Sequence, residues 1–312
     1  CTPDYDGCDL VLGDSGRVLT TKDFPHLKGL KGRTLITSDG NTILGVDDKA
    51  GIAEIMQLLE ILITEKIPHG QISVAFTPDE ECGSGAAHFD FDTFDAEVAY
   101  TLDGDGEGEI QYQNFNACEA KFEINGKNVH PGSAKDVMIN AVLIAADINN
   151  MLPRFEIPRH TEQYEGFYHL LSIHGDEGHA VSEYIIRDHD AEKFEQKKVF
   201  MWACVDLLKK KYGDEVLTLT LKDQYYNMRK MVEPHPQVID KALRAMEMAE
   251  VKPLVRPIRG GTDGARLSFM GLPCPNLFTG GMNFHGKFEY CSLTTMHKAR
   301  QVILNLAQLW CE

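Results

Sequence analysis

The sequence predicts an α/β protein in which one sheet-and-helix domain is interrupted by a smaller β-α-β-β-α-β domain. Three observations predict this. A helical pattern and strand-like runs alternate early in the chain, the middle changes to the order of a ferredoxin-like split unit, and the α/β pattern then resumes. We therefore expect a first part at 1–114, an inserted domain at 115–227 and a second part at 228–312, with the first and last parts forming one domain.

The first part opens with loops and short apolar stretches up to residue 46, after which the pattern sharpens. The segment DDKAGIAEIMQLLEILITEK begins with two aspartates that can cap a helix, and it carries apolar residues at helical spacing. These are Ile52, Ile55, Met56, Leu59 and Leu62. We therefore expect a buried helix from Asp47. QISVAFT (71–77) and EVAYTLD (97–103) predict two strands of the sheet.

The inserted domain is predicted from six segments in the order strand, helix, strand, strand, helix, strand. They are CEAKFEING, DVMINAVLIAADINNML, HLLSIHG, HAVSEYIIRD, AEKFEQKKVFMWACVDLLKKKYG and VLTLTLKDQYY. The second part predicts a helix at about 235–249, a glycine-rich RGGTDGARLSF and a short strand in PNLFTG. A last helix is expected from Ser292, a plausible N-cap, to about Trp310.

Charge and hydropathy exclude two broad function classes. The chain of 312 residues has 31 basic and 47 acidic residues, a formal net charge of −16. Such a charge repels nucleic acid and anionic lipid. No run approaches the roughly 20 apolar residues of a membrane span, and the start has no signal-peptide pattern. The eight cysteines are scattered without a CxxC pair, which favours reduced thiols and a cytoplasmic protein.

Adjacent glutamates in FTPDEECGSG are the first candidates for chemistry. Glu80 and Glu81 follow a predicted strand, and ligands of open α/β sheets gather outside the carboxyl ends of strands. Just past a strand end the chain can turn so that both side chains reach one cleft. A solvated acidic turn is the alternative for an isolated pair of this kind.

Three further residues extend this pair. Asp103 ends a predicted strand, Asp47 opens a helix and His285 lies in the turn GGMNFHGKFE. Taken singly, they can be a turn aspartate, a helix cap and a surface histidine. Taken together, carboxylates and one imidazole suit divalent metals such as Zn²⁺, Mn²⁺ or Co²⁺.

Seven segments, in order, resemble the dinuclear zinc exopeptidase family, and within it the tripeptide aminopeptidases of the peptidase T group. They are LGVDDKAGIAEI, FTPDEE, YTLDGDG, NVHPGSA, IIRD, PIRGGTDGA, and FTGG followed by FHGK. The family also includes glutamate-type carboxypeptidases, aminoacylases and dipeptidases. The resemblance implies a zinc-peptidase α/β catalytic domain, interrupted by a lid domain through which two copies form a homodimer, and two Zn²⁺ ions per subunit.

The resemblance also implies a role for each of the five candidates. Asp47 bridges the two metals, Glu81 and His285 complete one metal site, and Asp103 binds the other ion. Glu80 is the general base that takes a proton from the attacking water. The peptide bond between Asp47 and the following residue is expected to be cis.

Residues of the inserted domain and its border are implied to contact substrate. His130 in NVHPGSA matches a histidine that stabilises the tetrahedral oxyanion, commonly from the partner subunit, although a turn histidine is the alternative. Arg187 and Arg259 match arginines suited to gripping a peptide's C-terminal carboxylate, with structural ion pairing as their alternative. Asn227 and Arg229 are lesser candidates.

One family motif is missing from this sequence. The family's His-x-Asp element, whose histidine binds the second metal, does not occur before Asp47, and His26 lies in the wrong context. We expect the chain to start roughly ninety residues into the family pattern. The second metal then keeps only Asp47 and Asp103, so we expect that site to be impaired and these 312 residues alone to have weak or no activity.

Three functions remain open. The leading hypothesis is a metal-dependent aminopeptidase acting on tripeptides. A second keeps the fold and metals but takes a dipeptide or an N-acyl amino acid. A third, from another class, is a non-catalytic metal-binding or dimerising fragment.

Overall fold

The computed structural model describes residues 1–311 and divides the chain into two compact units. The first unit comprises Cys1–Tyr112, Met228–Arg256 and the chain from Thr262 onward; the second comprises Gln113–Asn227 and Pro257–Gly261. The strands of each unit form their own sheets, and each unit has its own main hydrophobic core.

Strands and helices are numbered in chain order. The strands are β1 (Leu10–Leu12), β2 (Arg17–Leu19), β3 (Leu35–Thr37), β4 (Thr101–Gly104), β5 (Glu109–Gln111), β6 (Asn116–Asn125), β7 (Phe167–Gly175), β8 (His179–Asp188), β9 (Leu217–Tyr225), β10 (Leu254–Val255), β11 (Asn276–Phe278), β12 (Gly281–Met282) and β13 (Tyr290–Ser292). The helices are α1 (Val46–Glu65), α2 (Phe91–Phe94), α3 (Ala141–Met151), α4 (Ala191–Tyr212), α5 (Arg229–Val232), α6 (Pro236–Met248), α7 (Asp263–Phe269) and α8 (Leu293–Leu309).

The first unit is built around a mixed sheet in the order β10-β5-β11-β4. Pairing of β11 is parallel with β4 and antiparallel with β5. Apolar side chains of α1, α6 and α8 cover this sheet and form one core, which includes Leu58, Ile110, Ala245, Leu277 and Val302. The core fixes the position of α1 against β4, and these two elements carry Asp47 and Asp103.

A second, antiparallel sheet in the first unit has the order β12-β13-β3. Beneath it a small core forms from Tyr5, Leu12, Leu19, Leu27, Leu35 and Tyr290. The segment between β12 and β13 carries His285 and Glu289. Because both flanking strands are tied into the sheet, this short segment starts and ends at fixed points.

The second unit has the strand order β7-β8-β6-β9, all antiparallel, with α3 and α4 against the sheet. Its core includes Phe122, Ile148, Tyr184, Phe194 and Leu208, which come from both helices and from the strands. The order of elements along the chain is the predicted β-α-β-β-α-β. The long alternation of apolar and polar residues in β6 and β8 explains why this part could be predicted.

The buried face of α1 differs from the predicted one. Ile52 and Met56 are 42% and 52% exposed, whereas Leu58 and Leu62 are buried. The reason lies at Gly51, where an added Cβ would come within 2.1 Å of the Leu102 carbonyl oxygen. The helix approaches β4 along its small residues, which turns the predicted apolar residues of the first turns outward.

The strand predicted at 71–77 is wrong, because these residues have no regular secondary structure. A strand exists through hydrogen bonds to a neighbour, and no segment of residues 1–311 pairs with this one. Val74 and Phe76 are 36% and 51% exposed. The predicted strand at 97–103 forms only from Thr101, as β4.

Predictions about two helices and about the cysteines are confirmed. Helices α6 and α8 match the expected spans, and the Ser292 hydroxyl accepts a hydrogen bond from the Thr295 backbone N–H at 3.2 Å. All eight cysteines are free thiols. Across the described part of the chain, no helix combines the length and apolar character that crossing a membrane requires.

Candidate metal centre

Asp47 lies where the chain turns from a loop into α1. Gly45 adopts a left-handed backbone with φ of 68°, and neither Asp47 nor Asp48 has helical backbone angles. The peptide bond between the two aspartates is cis, as expected. Because neither aspartate is helical, the regular turns of α1 begin after Asp48.

Three predicted metal ligands meet at one point. His285 Nε2 lies 2.9 Å from Asp47 Oδ2 and 3.0 Å from Glu81 Oε2. One donor atom from each of the three side chains falls within 4.8 Å of the other two. A nitrogen and two carboxylate oxygens at this separation match the donors of a catalytic Zn²⁺ or a similar divalent ion. The residues therefore fit a metal.

The carboxylates at this centre change the pKa of His285. Burial lowers the pKa of His285, but the nearby carboxylates of Glu81 and Asp47 outweigh it, so the pKa is raised overall. A bound cation would take the place of the proton that His285 shares with these carboxylates, since a metal needs the neutral imidazole.

Asp103 is the fourth predicted ligand, and it lies close enough to Asp47 for that carboxyl to raise its pKa. Burial first, and then the like charges of Asp48, Asp47 and Glu80, raise the pKa of Asp103 to about 9. Burial also raises the pKa of Asp48 to about 8. Carboxyls held this close are either protonated or neutralised by a cation. The position of Asp103 beside the bridging candidate suits a second ion.

Glu80 is half-buried next to these carboxylates. Burial, and then the charges of Asp263, Glu81 and Asp47, raise its pKa. In the described structure Glu80 is absent from the group of three donor side chains that could hold one ion. The two adjacent glutamates therefore have different surroundings, with Glu81 exposed at the donor cluster and Glu80 partly withdrawn from water.

A model of the family described as Peptidase family M20/M25/M40 matches residues 37–309. The chain belongs to this peptidase family. Peptidase T of Clostridium novyi (strain NT) is 53% identical over 308 residues, which are 98% of this chain and 76% of the relative. Peptidase T of Halothermothrix orenii is 54% identical over 308 residues, with the same two shares.

Solved structures agree with the family assignment. Aminopeptidase PepT from Bacillus cereus matches with a TM-score of 0.79 and 26% identity, over 90% of this chain and 77% of that chain. A dinuclear metal binding peptidase of the M20 family from Bacillus subtilis matches with a TM-score of 0.64 and 14% identity, over 84% and 71%; this second likeness shows the fold alone. The predicted resemblance and the α/β peptidase fold are confirmed.

The loop that carries both glutamates of the M20 peptidase is fixed by Asp263, which was not predicted. Its buried carboxylate accepts hydrogen bonds from the Thr77 hydroxyl at 2.8 Å and the Ala86 backbone N–H at 3.2 Å. Its backbone also favours the charged form of the Glu80 carboxyl, which partly offsets the rise in the pKa of Glu80. An added Cβ at Gly85 would lie 2.0 Å from Asp263 Oδ2. The loop is therefore held at both ends by one aspartate.

His130 and Asn227 of the second unit, both predicted to contact substrate, make hydrogen bonds within that unit. The exposed His130 accepts a hydrogen bond at Nδ1 from the Gly132 backbone N–H, 3.1 Å away, as a turn histidine does. Buried Asn227 donates to the His189 carbonyl and accepts from the Asn114 backbone N–H.

The two arginines of this unit differ. Arg187 donates to the Gln224 side chain at 2.9 Å and lies over the Tyr225 ring. Arg259 donates to backbone carbonyls of the 161–165 segment and lies over the rings of Phe115 and Phe167. Arg259 thus holds a loop. Arg187 also donates to the Ile186 carbonyl at 3.0 Å and to the Cys118 carbonyl at 3.4 Å, so both of its terminal nitrogens are engaged.

Glu54 is a buried acid that the sequence analysis did not single out. It is 2% exposed, and neither carboxyl oxygen has a hydrogen-bond partner within residues 1–311. Burial first, and the charge of Asp48 second, raise its pKa from 4.5 to about 10. The carboxyl is therefore neutral in the folded protein at pH 7.

Replacing Glu54 by methionine is expected to stabilise the metal-free protein at neutral and alkaline pH. In the wild type, charging this carboxyl is easier in the unfolded chain, so stability falls as pH rises from 4.5 toward about 10. Removing the acid should restore on the order of 3 kcal/mol at pH 7. Thermal unfolding of Glu54→Met and wild type, with a chelator, at pH 5 and pH 8 measures this. A gain of equal size at both pH values, or a gain in the exposed control Glu60→Met, would contradict it.

Proposed function

We propose that this chain is a metal-dependent aminopeptidase that removes the N-terminal residue from tripeptides. The observation that carries the proposal is the meeting of Asp47, Glu81 and His285 within 4.8 Å. Membership of a peptidase family supports it, and so does the 53% identity to a protein named peptidase T. The tripeptide preference follows the sequence resemblance to tripeptide aminopeptidases.

Zn²⁺ is the proposed metal, with two ions per subunit. Asp47, Glu81 and His285 would hold the first ion, and Asp47 with Asp103 would contribute to the second. When bound, a divalent ion supplies Lewis-acid chemistry that polarises the peptide carbonyl and makes water a stronger nucleophile. Because the two residues proposed for the second ion are both carboxylates, we expect that ion to be held more weakly than the first.

Glu80 is the proposed general base. Its raised pKa, caused first by burial, brings it toward the operating pH, where a carboxylate accepts and returns protons most effectively. It would take the proton of the attacking water and then deliver that proton to the leaving amine.

Substrate contacts are proposed for residues of the second unit. Arg187 and Arg259 would bind the peptide's C-terminal carboxylate, with Asn227 supporting the site and His130 stabilising the oxyanion. Arg187 would have to exchange its hydrogen bonds to Gln224 and to backbone carbonyls for bonds to the ligand. Arg259 would have to release carbonyls of the 161–165 segment to take the same role.

A homodimer through the second unit and a cytoplasmic location complete the proposal. Val199, Trp202 and Leu207 on α4 are 66%, 45% and 58% exposed. Large apolar side chains in this number on one helix are typical of an interface. Free cysteines support a reducing compartment.

The test compares three substrates with the chain loaded with Zn²⁺ or Co²⁺. We expect kcat/KM to be highest for a tripeptide, and lower for a dipeptide and for an N-acetyl amino acid. Faster turnover of either of these would favour the second hypothesis. No hydrolysis, with one metal or fewer per chain by elemental analysis, would favour a non-catalytic fragment. Turnover equal to that of the Clostridium novyi relative would contradict the expected weak activity.

A further inference from the structure

Glu289 is a buried carboxylate with two backbone partners in the segment that carries a metal-ligand candidate. It is 2% exposed. Its Oε2 accepts a hydrogen bond from the Gly45 N–H at 2.5 Å, and its Oε1 accepts one from the Asp47 N–H at 3.1 Å. One oxygen thus binds the backbone N–H of Asp47, the proposed bridging aspartate, and the other binds the backbone N–H two residues before it.

The same side chain belongs to the segment that carries His285. This segment folds back on itself, since the Asn283 side chain donates to the Phe288 carbonyl at 3.0 Å and the Glu289 N–H donates to the Gly286 carbonyl at 3.2 Å. His285 has a left-handed backbone with φ of 61°. One carboxylate therefore joins the His285 segment to the Asp47 segment, although more than 200 residues separate them in the chain.

The chemistry of the pair of hydrogen bonds requires a carboxylate. Each of its two oxygens accepts, so it satisfies two N–H donors at once, and charge-assisted hydrogen bonds of this kind are about twice as strong as neutral ones. Glutamine has the same shape but presents an NH₂ group to one of the two N–H groups. That leaves a buried donor facing another donor.

We propose that Glu289 is a positioning residue that fixes Asp47 relative to His285 and thereby sets the metal affinity of the centre. The inference rests on the proposed metal-dependent function. Groups that orient metal ligands typically change metal affinity by roughly 10–100-fold when they are removed. Glu289 acts through backbone atoms of the Asp47 segment, so its loss should displace the ligand without removing it.

The test measures Co²⁺ and Zn²⁺ dissociation constants by competition with a chelator for wild type, Glu289→Gln and Glu289→Asp. The control is Glu107→Gln, which removes a half-buried carboxylate of the first unit that is paired with Arg33 and with Lys298. Thermal unfolding of the metal-free proteins is recorded beside it. We expect both Glu289 variants to bind metal roughly 10–100-fold more weakly, with metal-free melting temperatures close to that of the control.

The other outcomes separate the two proposals. If the wild type binds no metal, the proposed function itself fails. If the wild type binds metal and Glu289→Gln binds it equally well, only the role of Glu289 fails. If both Glu289 variants lose the metal-free fold while Glu107→Gln keeps it, Glu289 supports the fold in general, and the proposed positioning role is also contradicted.

Discussion

Glu80→Gln is expected to lower kcat for a tripeptide by roughly 10²–10⁴-fold, the usual contribution of a general base. Glutamine keeps the shape and nearly the size of the side chain. It cannot take a proton from water. Because Glu80 is not one of the three clustered donors, the metal content of the variant should stay that of the wild type.

Steady-state kinetics and elemental analysis of the same preparations test this expectation. Glu60→Gln, an exposed glutamate of α1, is the matched control and should behave as the wild type. A Glu80→Gln enzyme that loses its metal together with its activity would show that Glu80 is a ligand. A variant that retains more than about a tenth of wild-type kcat would exclude it as the base.

Asp47→Asn is expected to cause the larger loss, because it weakens both proposed metal positions. Asp47 is the common neighbour of His285, at 2.9 Å, and of Asp103. An amide carries no charge to offset a divalent cation. Since a Lewis acid contributes several kcal/mol to the reaction, kcat/KM should fall by roughly 10³-fold or more.

Isothermal titration calorimetry measures the metal affinity of Asp47→Asn, and steady-state kinetics at saturating Zn²⁺ measures its activity. The matched control is Asp92→Asn, an exposed aspartate of the same unit that should leave both quantities unchanged. Recovery of full activity at high Zn²⁺ would mean that Asp47 affects affinity alone. Unchanged affinity for both ions would remove Asp47 from the metal centre.

Much of the fold follows from local patterns in the sequence. The helices and the β-α-β-β-α-β order of the second unit are predictable because apolar residues recur at the periods of helix and strand. The segment 71–77 shows the limit of that argument. Its β-branched composition is suited to a strand, but a strand also needs a neighbour, which no periodicity reveals.

The metal centre could be predicted only in part. Residue type alone identified four candidates, Asp47, Glu81, Asp103 and His285. Spacing in the sequence did not predict that a helix start and a turn 238 residues apart would be in contact. The family resemblance supplied that prediction. Glu289 and Asp263 were not predicted because both accept hydrogen bonds from backbone N–H groups, and the pattern of side-chain types in a sequence does not reveal such contacts. An acidic residue four positions after His285 is the one signal the sequence offered for Glu289.

Anomalous X-ray scattering from crystals loaded with Zn²⁺ tests the central claim most directly. The account predicts a zinc peak between Asp47 Oδ2, Glu81 Oε2 and His285 Nε2, each close to 2 Å away, with a weaker peak near Asp103. Crystals of zinc-loaded protein with no peak among the first three side chains would contradict it.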